Sequence, residues 1–192
     1  MKKKALVCAF IAICLSIIAY STTAYFAYEN TASNVITMGN IKIELQELSV
    51  PADGGEPIPF ENAIDVLPGT SVSKIVQVKN TGSQSAWIRI SVDKTLLLAD
   101  GISGEVDLSL VTYNVNTDKW IEKDGYYYYV DALQPKETTE PLFTEVSFAA
   151  TMGNMYQQSK AILKVQAQAT QITHNGTTAL DAAGWPKQSK EG

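Results

Sequence analysis

A side-chain period of two, recurring along most of its length, constrains this chain more than any other feature. Ile41, Ile43 and Leu45 alternate with Lys42, Glu44 and Gln46. Val72, Val76 and Val78 share one parity, interrupted by Lys74. Ala86, Ile88, Ile90 and Val92 alternate with Trp87, Arg89 and Ser91, and Val106, Leu108 and Leu110 with Asp107 and Ser109. Leu142, Val146 and Phe148 form another such set. Ala161, Leu163, Val165, Ala167 and Ala169 alternate with Ile162, Lys164, Gln166, Gln168 and Thr170. In a strand, alternation sends one set to a buried face and the other outward.

Turn residues punctuate these runs: Asp53-Gly54-Gly55, Pro68-Gly69, Asn80-Thr81-Gly82, Asp100-Gly101 and Asn175-Gly176. Asp124-Gly125 stands between Trp120-Ile121 and Tyr126 to Val130, the pattern of a two-residue hairpin. Many short strands with little helical patterning predict an all-β, two-sheet antiparallel sandwich. Short helical connections are expected around Leu96 to Asp100 and Ala179 to Ala183.

The amino terminus carries a different signal. Lys2, Lys3 and Lys4 precede an uncharged run from Ala5 to Ala19. A basic start and a short apolar run read as a secretory signal peptide, with an uncleaved N-terminal anchor as the alternative, and the run is short for a membrane span of roughly 20 residues. Small residues at Thr22-Thr23-Ala24 place cleavage between Ala24 and Tyr25, with Ala27 as the second choice. Residues 1–24 thus read as the signal and 25–185 as the sandwich domain. Within that domain, 25–38 is an N-terminal extension, and 186–192 is an expected disordered tail. The expected location is outside the cell, with membrane contact only in transit and a signal peptidase as a processing partner.

The only cysteines, Cys8 and Cys14, fall in the signal. The mature domain therefore has no disulfide or thiolate chemistry and must be held by its core. Three of the 15 basic residues also lie in the signal. That leaves 12 basic against 20 acidic, a net charge of −8. Such a balance argues against nucleic acid and anionic lipid as partners.

Catalytic constellations are missing from the sequence. His174 is the sole histidine and sits beside a turn, where it reads as a solvated loop residue. There is no zinc helix motif, nucleophile elbow, phosphate loop or dinucleotide fingerprint. Asp53 and Glu56 lack calcium-loop spacing and read as a plain acidic loop. Leu67-Pro68-Gly69-Thr70 reads as a turn before a strand. The expectation is a protein with no enzymatic activity, cofactor or metal.

Two aromatic features have alternative readings. In the run Tyr126 to Tyr129, alternate rings pack inward and the others cover the sheet, or the outer pair forms a contact platform for sugar or protein. Trp87, on the outward parity beside Arg89, is either an interface anchor or covered by a loop. Trp87, Tyr126 and Tyr128 are therefore the candidate surface contacts.

The segment after the signal is the most specific. Tyr25-Phe26 is followed by a polar stretch from Glu29 to Asn34, then by Gly39 opening the strand of Ile41 and Ile43. Further on come Leu67-Pro68-Gly69-Thr70-Ser71-Val72-Ser73-Lys74, then Val76-Gln77-Val78-Lys79-Asn80-Thr81-Gly82, and a closing stretch at Gln168-Ala169-Thr170-Gln171. In order and spacing these resemble the TasA/camelysin family of secreted biofilm-matrix proteins from Gram-positive bacteria.

The resemblance implies a jelly-roll-like β-sandwich that polymerises into extracellular fibres, with itself or related matrix proteins as partners. It also implies that the N-terminal segment of one subunit completes the sheet of the next, and that a dedicated signal peptidase processes the precursor. The residues allow strand addition: Ala27, Tyr28, Val35, Ile36 and Met38 are candidates for the donated strand, and the stretch from Ala27 to Val35 has no proline or glycine. Two other classes stay open. One is a monomeric binding module; the other is a metallopeptidase of the camelysin type, for which the chain lacks zinc-binding histidines.

Overall fold

The alternating stretches become strands that pair over long registers. The computed structural model describes residues 35–37, 41–60 and 63–186. The strands are β1 (Val35–Thr37), β2 (Ile43–Ser49), β3 (Ile58–Pro59), β4 (Ala63–Asp65), β5 (Ser71–Asn80), β6 (Ala86–Leu97), β7 (Val111–Tyr113), β8 (Trp120–Lys123), β9 (Tyr126–Tyr129), β10 (Phe143–Phe148) and β11 (Lys160–Gln171). Asn34–Gly192 forms a compact unit that holds all of them.

Two sheets make a sandwich. One runs β8-β9-β6-β11, with β1 and β4 sharing the far edge of β11. The other runs β3-β2-β5-β10-β7. Every described pair is antiparallel except β1 with β11. From β4 onward the chain changes sheet at each connection, counting the β8–β9 hairpin as one step. That is the jelly-roll-like all-β architecture expected from the resemblance.

The spine is the β6–β11 pair, in register from Leu97↔Lys160 to Ala86↔Gln171. Its inward residues, Ile88, Ile90, Val165 and Ala167, are fully buried against Val76, Val78 and Val146 of the other sheet. Large core side chains at such sites contribute about 1.5–3 kcal/mol each. Trp120 and Phe143 are fully buried in the same core.

The turns follow their chemistry. Asp124 and Gly125 both have positive φ (52° and 77°), as a two-residue hairpin of the right twist requires, and Lys123 pairs with Tyr126 across it. At Leu67 to Thr70, proline is followed by a left-handed glycine, and the Thr70 N–H and hydroxyl both donate to the Leu67 carbonyl. Asn80, fully buried at the end of β5, donates to the carbonyls of Gln84 (2.8 Å) and Leu133 (3.1 Å) and accepts from the Gly82 N–H (3.0 Å).

Three local expectations differ from the structure. Val106 to Leu110 is not a strand. Asp107 Oδ1 accepts from the Ser109 N–H (2.9 Å), and this side-chain bond diverts Leu108–Leu110 into a single 3-10 turn. Leu96 to Asp100 is not helical, because pairing with Lys160 holds β6 extended to Leu97 before a turn at Asp100-Gly101. Ala179 to Ala183 forms only a turn, in which Ala179 and Ala182 are buried against Trp87 and Tyr128. Among the described residues a further 3-10 turn lies at Asn154–Tyr156.

Candidate functional site

The extension meets the sandwich at β1. Val35–Thr37 lies parallel on β11, with Val35↔Ala167, Ile36↔Gln168 and Thr37↔Ala169. On the same edge β4 runs antiparallel, with Ala63↔Ile162, Ile64↔Ala161 and Asp65↔Lys160. Leu163 to Gln166 lies between these two registers. Val35 and Ile36, candidates for donation to a partner, thus pair within their own chain. Ala24, Tyr25, Ala27, Tyr28 and Met38 lie outside the described residues, as do the signal segment and the tail beyond Pro186.

The aromatic face is built on β6 and β9. Tyr127 and Tyr129 point into the sandwich, while Tyr126 and Tyr128 belong to the outer layer. That outer layer is covered. Residues 172–186 return across the sheet and bury Trp87 to 6 % and Tyr128 to 7 % exposure, with Tyr126 half-buried. The Trp87 indole N–H donates to the Asn175 carbonyl at 3.1 Å. Alternation therefore assigns the correct face to Trp87, Tyr126 and Tyr128, but Trp87 and Tyr128 are not surface contacts in this state.

Arg89 is the centre of this layer. Its guanidinium lies 3.8 Å from the Tyr126 ring centroid and 4.6 Å from that of Trp185. Its N–H groups donate to Gln168 Oε1 (2.8 Å), the Tyr128 hydroxyl (3.1 Å) and the Pro186 carbonyl (3.4 Å). These acceptors are all neutral, and the aromatic faces supply the remaining electrostatic compensation. Sequence alone gives Trp185 no role here, because its contact with Arg89 is set by the return of the chain.

Inside the sandwich, Tyr113 and Tyr127 share a hydroxyl contact of 3.0 Å. Burial first, then its bond to Tyr127, holds the Tyr113 phenol well above its ordinary range. The Tyr129 hydroxyl donates to the Glu140 carboxylate, and Lys119 bridges Asp131 (2.9 Å) and Glu140 (3.5 Å) nearby. Burial, followed by that bond, pushes the Tyr129 phenol up to about 12.

Lys74, the polar break in the Val72-Val76-Val78 face, really does point inward. It is 1 % exposed, its ammonium is 2.5 Å from Glu47 Oε2, and the Phe60 ring centroid lies 3.8 Å away. Burial lowers its pKa, and Glu47 partly opposes that shift.

The remaining candidates are bland. His174 is exposed in a turn at φ 57°. Asp53 and Glu56 are exposed, and Asp53 Oδ1 accepts from the Gly55 N–H at 3.2 Å. No group of three or more metal-type ligands occurs among the described residues. Comparison of the chain with protein-family models, curated proteins and solved structures finds no match.

Proposed function

We propose that this chain is a secreted structural protein of an extracellular matrix that assembles head to tail, an N-terminal segment of one subunit completing a sheet of the next. The observation that carries this reading is the edge of β11. There the sole described parallel pair of the sandwich, only three residues long, anchors the end of the extension. The reading assigns donation to the residues ahead of this anchor, Tyr25 to Asn34, with Ala27 and Tyr28 in the donated stretch. A head-to-tail contact of this kind need not close, so it yields a filament. The sandwich fold and a domain without cysteine suit a building block whose strength lies in backbone pairing. The reading is non-enzymatic.

The test compares the mature chain, Tyr25 to Gly192, with one beginning at Asn34. Negative-stain microscopy and sedimentation should show filaments or high-mass species for the first and monomers for the second. Monodisperse particles from both, across concentration and pH, would sink the reading.

A further inference from the structure

Three of the six exposed large apolar side chains among the described residues stand together: Val50 (42 %), Ile58 (50 %) and Leu67 (58 %). With Phe60, Ile64 and Val72 they line a groove of about 450 Å³ where the chain passes from β3 in one sheet to β4 in the other. The groove also has a backbone wall. The β2 register on β5 ends at Leu48↔Ile75, and Val50 reaches β5 only by donating its N–H to Ser73 Oγ (3.0 Å). Beyond that point, Ser71–Ser73 pairs with β10 on one side, and Val72 and Ser73 line the groove on the other. An open strand edge beside apolar walls is the geometry that takes up an extended peptide.

We infer that this groove is the acceptor for the segment Tyr25-Phe26-Ala27-Tyr28 of a second copy. The inference rests on the self-assembly reading and gives it an address. Extended, four residues span about 13 Å, and a period of two puts Phe26 and Tyr28 on one face. That face meets Val50, Ile58 and Leu67, while Ala27 points away. The segment carries no charged side chain, and cleavage after Ala24 gives Tyr25 a positive amino terminus. The loop joining β2 to β3, which ends at the groove, holds the exposed acids Asp53 and Glu56.

The test uses two complementary proteins. Ile58→Lys with Leu67→Lys, in the full mature chain, spoils the acceptor and keeps the donor; both sites are at least half exposed, so the fold should survive. The domain beginning at Asn34, a compact unit by itself, keeps the acceptor and lacks the donor. The double variant should need at least tenfold more protein to self-assemble. Mixed with the Asn34 domain it should form a 1:1 dimer in native mass spectrometry. Because the mature chain has no cysteine, Phe26→Cys and Leu67→Cys proteins should also cross-link to each other, and Asp118→Cys should not replace Leu67→Cys. If the double variant assembles like the unaltered chain, the groove is not the acceptor and self-assembly stands. A folded double variant that forms no dimer with the Asn34 domain also overturns the assignment. If the unaltered chain never assembles, the self-assembly reading falls and the acceptor falls with it.

Discussion

The Arg89 guanidinium stacks 3.8 Å from the centroid of the Tyr126 ring, and Trp185 closes over it at 4.6 Å. Arg89→Met removes three hydrogen bonds and the contacts with the Tyr126, Tyr128 and Trp185 rings. It should cost about 2–3 kcal/mol in urea unfolding. Arg89→Lys should recover less than half of that, because an ammonium cannot present the planar fork that reaches Gln168, Tyr128 and Pro186 together. Full recovery by lysine would mean that charge alone matters here.

Removal of residues 173–192 should bare Trp87 and Tyr128 while leaving the β6–β11 spine paired. A red-shifted tryptophan emission and new binding of a hydrophobic dye would report it. An unchanged emission would show that these rings are not covered in solution.

Asn80→Ala should be among the costlier single changes, about 2–4 kcal/mol. It removes the side-chain bonds to the Gln84 and Leu133 carbonyls and frees the Gly82 turn. Asn80→Asp should not rescue it, since a carboxylate cannot donate to those carbonyls. The measurement is the urea midpoint of each variant.

Glu47→Ala leaves the Lys74 ammonium buried without its carboxylate and should cost about 3–5 kcal/mol. The double variant Glu47→Leu, Lys74→Met should be near neutral or stabilising. A double variant as unstable as Glu47→Ala would show that the pair itself holds β2 against β5.

Alkaline pH should weaken the fold through Tyr129. Its phenol is raised from 10.0 to about 12, so the folded state holds that proton more tightly than the unfolded chain. The stabilisation is fully present below pH 10 and lost as pH rises toward 12. Lys74 acts in the opposite sense below 10.5, because its pKa is lowered. Comparing the unaltered chain with Tyr129→Phe isolates the phenol: the variant should lose less stability between pH 10 and 12. Equal losses would assign the effect elsewhere.

Much of the fold was legible because faces are local properties. The parities of β2, β5, β6 and β11 and the Asp124-Gly125 hairpin are written in adjacent residues. What covers a face is not local. Trp87 and Arg89 have outward parity, yet both are buried, because residues 172–186 return over them. Lys74 shows the converse: its parity was inward, and only Glu47, on a neighbouring strand, explains how a charge sits there. The apolar groove could not be read at all, since Val50, Ile58, Leu67 and Val72 come from segments that share no period.

β11 pairs with β1, β4 and β6, and it is the last strand among the described residues. The β1–β4–β6 side of that sheet therefore has nothing to close on until residue 160 and beyond are delivered. Contacts of such long sequence separation also form slowly. If the chain is exported as proposed, threading it outward amino terminus first leaves this sheet incomplete until nearly all of it has crossed. On that reading, the order of strands would postpone completion of the sandwich to the far side.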